Sequence, residues 1–205
     1  MAKSAWIIGI DEAGRGPLAG PVAVGIVAAP TTFNWQLLPK VADSKQLSAA
    51  RREEVYQQVR ILRQRGLLVY SVTTTSAAAI DRIGINAAID AALRRGLRQV
   101  SLELNLVPAD VVVRLDGGLR APERYVRQET IIRGDSSEPI ISLASIMAKV
   151  TRDQQMGRLA TRAGYTPYDF MTHKGYGTKA HRAAIAQYGL SPQHRRTYCR
   201  NIETL

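Results

Sequence analysis

The order of apolar and polar positions predicts strands and helices in alternation. Trp6-Ile7-Ile8-Gly9-Ile10 reads as a short buried strand that ends in Asp11-Glu12, and Gly14-Arg15-Gly16-Pro17 breaks the chain just after it. A second apolar run covers residues 22–29 and is closed by Pro30. A third, residues 67–73, is rich in β-branched side chains, which suit a pleated, half-buried surface. Val111-Val112-Val113-Arg114-Leu115 is the fourth and ends at Asp116-Gly117; Glu129-Thr130-Ile131-Ile132-Arg133 is the fifth and ends at Gly134-Asp135. Helical periods lie between and after these runs. Ser48 is placed to cap a helix with Val55, Val59 and Leu62 on one face and Gly66 as its stop. Residues 76–95 are alanine-rich and helical in period. Ser136-Ser137-Glu138-Pro139 opens a helix that buries Ile140, Leu143, Met147 and Val150, and two shorter helices are expected around residues 179–188 and just before. The pattern predicts an α/β fold, a mixed sheet covered by helices on both faces, with a helical C-terminal extension.

Length and composition narrow the class. A chain of 205 residues with 45% hydrophobic content suits one domain with an ordinary core and excludes wholesale disorder. No internal repeat or long linker divides it, so residues 1–160 are expected to form the catalytic core and 161–205 a basic, substrate-binding part of the same domain. No apolar run reaches the roughly 18 residues a membrane span needs. The single cysteine, Cys199, cannot form an intramolecular disulfide, and residues 1–14 lack the long apolar region of a signal peptide. A cytoplasmic protein is expected. The net charge is +11, and residues 141–205 hold ten Lys and Arg against three Asp and Glu. That distribution suits a phosphate backbone, although a solvated basic tail has the same signature.

The acids at strand ends carry the chemistry. Asp11-Glu12, Asp116 and Asp135 each follow an apolar strand, where a carboxylate is partly desolvated and faces others of like charge. A hard divalent cation, Mg²⁺ or Mn²⁺, relieves that repulsion through oxygen ligands. Four such donors suffice for two ions about 3.5–4 Å apart, the arrangement for in-line phosphodiester cleavage. Taken singly, Asp116 also fits a turn before Gly117, and Asp135 fits a helix cap. Adjacent strand residues point to opposite faces, so Asp11 and Glu12 share a site only if the chain bends. Gly14-Arg15-Gly16 sets a cation between two residues without side chains, suited to close approach by a phosphate. Its spacing, GRGPLAG, matches neither nucleotide-binding glycine motif.

The segment Gly9-Ile-Asp-Glu-Ala-Gly-Arg-Gly-Pro-Leu-Ala-Gly-Pro-Val22 resembles ribonuclease HII, the bacterial type 2 ribonuclease H. The resemblance continues at Asp43-Ser44-Lys45, Leu115-Asp116-Gly117, Gly134-Asp135, Ser142-Leu-Ala-Ser-Ile-Met-Ala-Lys-Val-Thr-Arg-Asp153 and His173-Lys-Gly-Tyr-Gly-Thr-Lys-Ala-His181. It implies a ribonuclease-H-like fold with a central mixed five-stranded sheet. It also implies endonucleolytic cleavage of RNA in RNA–DNA hybrids and 5′ of single ribonucleotides in duplex DNA, leaving 3′-hydroxyl and 5′-phosphate ends. By the same resemblance Asp11, Glu12, Asp116 and Asp135 are the catalytic metal ligands, with Asp11 and Asp116 central and two ions in the substrate complex. Gly14, Arg15 and Gly16 are the glycine–arginine–glycine element, and Tyr176 senses the junction by stacking on the next deoxyribose. Without the resemblance, Tyr176 reads as an ordinary half-buried aromatic.

Lys45, Lys149, Arg152 and Lys174 are candidate phosphate contacts. Ser142, Ser145, Lys149, Arg152 and Asp153 fall on one helix face, which suits a substrate-facing stripe; for Arg152 and Asp153 a solvated face fits equally. Asp153 lies too far along the helix from Asp135 to join the metal site. His173, His181, His194 and Cys199 match no zinc spacing, so the histidines are expected to make hydrogen bonds or caps. Two other readings fit parts of the pattern: a Holliday-junction resolvase, which should be an obligate dimer, and a non-catalytic nucleic-acid-binding module, which leaves the acids unexplained. Ribonuclease HIII would bring an extra N-terminal domain, for which an acid at position 11 leaves no room. Residues 197–205 show no aromatic pair suited to a sliding clamp, and a monomer is expected.

Overall fold

The computed structural model describes residues 6–39 and 47–202, so Lys45 and its Asp43-Ser44 neighbours lie outside the described residues. Five strands form one sheet: β1 (Trp6–Ala13), β2 (Val22–Pro30), β3 (Val69–Thr75), β4 (Val112–Asp116) and β5 (Arg127–Ile131), in the order β3-β2-β1-β4-β5. β1 pairs antiparallel with β2, and β2 with β3; β1 pairs parallel with β4, and β4 with β5. The sheet is therefore mixed.

Alternation along the strands builds two core layers. Ile8, Ile10, Val22, Val24, Ile26, Val113 and Leu115 face α3 (Ile85–Glu103), which contributes Ala88, Ala92, Leu93 and Leu97. Val27 and Ala29 face the other side, where α1 (Ala49–Gln64) brings Val55, Val59 and Leu62, and α5 (Pro139–Ala160) brings Ile140, Leu143, Met147 and Val150. β2 is buried on both faces, which accounts for its unbroken apolar run. A third cluster joins Leu18 and Ala19 to Met156 of α5 and to the C-terminal Phe170, Ile185 and Cys199. α6 (Phe170–His173) and α7 (Lys179–Tyr188) follow, as expected before and across residues 179–188.

Several boundaries move, each for a physical reason. β1 runs on to Ala13 because Asp11, Glu12 and Ala13 still pair with Gly25, Val24 and Ala23; the two acids are inside the strand, not after it. β3 starts at Val69 because the amide of Leu67 still donates to Leu62 at the end of α1. β5 ends at Ile131: Arg133 takes a left-handed conformation (φ 56°) and turns the chain into the single-turn helix α4 (Gly134–Ser137). Asp135 is therefore in a helix. The expected helix at 76–95 is two, α2 (Ala77–Ile83) and α3, parted at Gly84. Ser48 and Ser76 cap α1 and α2 as their side chains accept from Arg51 and Ala79 amides.

α5 lies directly on β1 and β2 because two strand positions have no side chain. A Cβ at Gly9 would sit 2.2 Å from the Ile140 carbonyl oxygen, and one at Gly25 would sit 2.1 Å from that of Ala144. Backbone cannot yield as a flexible side chain can, so Gly25→Ala is expected to cost about 1–3 kcal/mol, the usual range for overpacking. Urea or thermal melts of the variant measure it.

Candidate active site

The parallel pairing of β1 with β4 sets the geometry. Ile10 is opposite Leu115, and both face α3. Asp11 and Asp116 are next along these neighbouring strands, so both turn toward α5, on strands about 4.8 Å apart. Glu12, by the same alternation, belongs to the α3 side. Asp11, Glu12 and Asp116 nevertheless all line one open cleft of about 560 Å³, because the cleft lies at the end of the sheet where both faces meet. Gly14, Arg15, Gly16, Arg52, Ser145, Lys149 and Tyr176 complete its walls.

Asp135 is placed differently. It is fully buried and does not line the cleft, but its amide donates to an Asp116 carboxylate oxygen at 3.4 Å. Ser142, expected on the substrate-facing stripe, is buried and donates to the Asp135 carbonyl oxygen. Among the described residues no three acids, histidines or cysteines form a ready-made metal cage.

Asp11 is the most perturbed acid. Only 4% of it is exposed, and burial pushes its carboxyl up from 3.8 to about 8. The negative charges of Glu12 and Asp116 push the same way, while hydrogen bonds from the Ser145 side chain and the Glu12 amide pull it down. An oxygen-only set with a desolvated carboxylate among like charges is the donor chemistry of a hard divalent cation. The residues present therefore fit such an ion.

The cations are arranged unevenly. Arg15 pairs with Glu12 at 2.9 Å and donates to Asn86 Oδ1 at 2.8 Å, so it is tied to the α3 side of the cleft. Lys149 lines the cleft and pairs with Asp153 at 2.7 Å; Asp153 lies in an adjoining groove, outside the acid cleft. Lys174 also lies in that groove rather than in the cleft, and Arg52 lines both. Tyr176 is 43% exposed on the cleft wall.

Arg152 corrects the expected phosphate contacts. It is 1% exposed and donates to the carbonyl oxygens of Pro21, Ala19 and Lys174, because its turn of the helix faces inward to the loop after β1. Arg52 and Arg195 were not anticipated from the sequence. A guanidinium in a basic helical stretch reads as solvated, and no spacing marks either one.

Two of the three histidines, His181 and His194, make hydrogen bonds in a chain, and His173 accepts from the Gly175 amide. His194 Nδ1 accepts from the Ser191 amide, its Nε2 is 3.0 Å from His181 Nε2, and His181 Nδ1 is 2.9 Å from the Tyr176 carbonyl oxygen. That order fixes each ring as neutral: His194 donates to His181, which donates to Tyr176. Burial pushes both down to about 4.

A mixed five-stranded sheet flanked by helices, with acids at the ends of its parallel pair, defines the ribonuclease-H-like class of α/β nucleases. The family model for ribonuclease HII matches residues 8–201. Ribonuclease HII of Polynucleobacter necessarius subsp. necessarius (strain STIR1) is 42% identical over 193 residues, 94% of this chain and 92% of the relative. The chain belongs to the ribonuclease HII family. Among solved structures, ribonuclease H2 of Pyrococcus horikoshii OT3 superposes with a TM-score of 0.67 at 27% identity, covering 97% of each chain. The Archaeoglobus fulgidus ribonuclease HII, solved in complex with PCNA, gives 0.67 at 27% identity, covering 92% of this chain and 93% of its own. No described helix is long and apolar enough to cross a membrane.

Two pH dependences follow. The Asp11 carboxyl is raised in the fold, so its contribution is complete below 3.8 and is lost progressively as pH rises from there to about 8. In metal-free protein at pH 8, Asp11→Asn is therefore expected to raise stability, by on the order of a few kcal/mol at most. Thermal melts in chelator across pH 5–9 check this, with the gain shrinking toward acid. The two histidines are lowered from 6.5, so their contribution is complete above 6.5 and is lost as pH falls toward 4. His194→Gln is expected to flatten the loss of stability over that acid range.

Proposed function

We propose that this protein is an endoribonuclease that cuts the RNA strand of RNA–DNA hybrids and nicks 5′ of single ribonucleotides embedded in duplex DNA. The products carry 3′-hydroxyl and 5′-phosphate ends. The observation that carries the reading is the placement of Asp11 and Asp116 next after the Ile10–Leu115 pair on adjacent parallel strands, at a cleft walled by Gly14–Gly16 and by Tyr176. Membership of the ribonuclease HII family supports it, and speaks against a resolvase or a non-catalytic module.

Asp11 and Asp116 would hold Mg²⁺ or Mn²⁺ centrally, with Glu12 and Asp135 flanking. Bound there, two such ions supply Lewis-acid activation of water and neutralise charge developing on the phosphate. The chain's own residues do the rest. Ser145 donates to Asp11 and orients its carboxylate. The Asp135 amide, through its hydrogen bond, orients Asp116. Lys149 and Arg52 line the cleft and attract the phosphate backbone, and Lys174 extends that field into the adjoining groove. Short-range donors and acceptors around Gly14–Gly16 read the 2′-hydroxyl, which separates RNA from DNA. The exposed Tyr176 ring stacks on the following deoxyribose, where a second 2′-hydroxyl would crowd it. The protein acts in the cytoplasm as a monomer on these duplexes.

A cleavage assay on DNA with one ribonucleotide, comparing Mg²⁺, Mn²⁺ and chelator, tests the reading. Divalent-dependent nicking 5′ of the ribonucleotide is expected, and Asp11→Asn should abolish turnover while leaving hybrid binding largely intact. Near wild-type cleavage by Asp11→Asn in Mg²⁺ would refute the metal assignment. Tyr176→Ala should lose more activity on the single-ribonucleotide duplex than on an all-RNA hybrid; equal loss on both counts against junction sensing.

A further inference from the structure

Two guanidinium groups lie behind the cleft with no carboxylate within ion-pair distance among the described residues. Arg195 is fully buried; its Nη2 donates to the Gly14 carbonyl oxygen at 2.7 Å, its Nη1 to Arg15 at 2.9 Å and its Nε to Gly20 at 3.0 Å. Arg152 donates from Nε to Pro21 at 2.9 Å and from Nη2 to Lys174 at 3.0 Å and Ala19 at 3.3 Å. Its guanidinium carbon lies 5.6 Å from the centre of the Tyr176 ring. Gly14 (φ 90°) packs so closely on Arg152 that a Cβ there would meet Nε at 2.1 Å. The two segments also touch directly, since Leu18 and Ala19 amides donate to the Gly175 carbonyl oxygen at 2.8 and 3.2 Å.

Burying a cation without a counter-ion is costly, and two beside each other repel. Burial pushes the Arg195 guanidinium down to about 10, with the charge of Arg152 acting in the same direction. Ordinary packing does not call for this arrangement. Six carbonyl oxygens accept from the two cations, five from residues 14–21 and one from Lys174, and these are the segments that carry Gly14–Gly16 and Tyr176; Arg152 Nη1 is left buried without a partner among the described residues.

We propose that Arg152 and Arg195 are positioning residues that lock the Gly14–Gly16 loop and Tyr176 into one fixed spacing, so that ribose and adjoining deoxyribose are read together. Arg152 acts mainly through Tyr176 and Lys174, and Arg195 through the carbonyls of Gly14 and Arg15. The inference rests on the functional reading above.

The test uses the full chain in Mg²⁺ and two duplexes, one with a single ribonucleotide and one with an all-RNA strand. The readout is the ratio of kcat/KM between them, with melting temperature measured in parallel. Arg152→Met and Tyr176→Ala are each expected to lower the ratio about tenfold, and the double variant to lower it no further than either single. A purely structural arginine would instead lower both rates together, in step with stability. Arg152→Lys keeps the charge but not the fork of donors, so it is expected to lower the ratio part of the way and serves if the Met variant does not fold. Arg195→Met is expected to reduce kcat/KM on both duplexes at a temperature where it is still fully folded, out of step with its melting temperature, and Arg195→Lys to recover part of it; a loss that follows the melting temperature overturns the role of Arg195. An unchanged ratio in the folded Arg152 variants, or losses that multiply in the double variant, overturns the proposal alone. An unaltered protein that cuts neither duplex defeats the functional reading, and this inference with it.

Discussion

The parallel register of β1 against β4 is the constraint on which the site depends. With Ile10 opposite Leu115 facing α3, the next residue on each strand must face α5, and those residues are Asp11 and Asp116. A slip of one residue on either strand would send one acid into the apolar layer under α3 and break the pair. The register is held from both sides. The buried Ile8, Ile10, Val113 and Leu115 fill one layer, and the close seating of α5 on Gly9 and Gly25 closes the other. Core packing and acid placement are thus one requirement met by the same strands.

That placement stores electrostatic tension. Asp11 lies under α5 beside two other acids, and its carboxyl holds a proton far more tightly than an exposed one does. Among the described residues no arginine or lysine pairs with this carboxyl, although Arg15 and Lys149 stand nearby with Glu12 and Asp153 as partners. On the far side of the glycine loop the sign reverses, and Arg152 and Arg195 are buried against carbonyl oxygens and the rings of Tyr176 and Tyr198. Anionic and cationic groups able to neutralise one another are kept apart by the loop between them. Such a separation suits a ligand that brings both a phosphate and cations of its own.

Asp11-Glu12 was legible because two adjacent acids at the end of an apolar run have no evident structural purpose, whereas Asp116 and Asp135 also fit a turn and a cap and were joined to that pair by the family resemblance. Asp135 was legible as a residue but not in its position: the left-handed turn at Arg133 sets it in a helix behind Asp116, and no local pattern announces that turn. Ser145 and Lys149 were found by helical spacing, which also placed Arg152 on the same stripe. Spacing gives an angle about the helix axis, not what faces that angle, and the loop at residues 19–21 covers Arg152 from more than a hundred positions away. Lys174, a candidate phosphate contact, sits in the groove adjoining the cleft.

Sequence alone determined the strands' apolar faces, the capped helices, the acids and the family, since each rests on residues close together in the chain. Tertiary structure decided which acids share a face, which arginines are buried and which hydrogen bonds hold His181 and His194 neutral. These depend on strand register and on contacts between segments remote in sequence, where one residue of displacement reverses a side chain and local pattern holds no record of the partner.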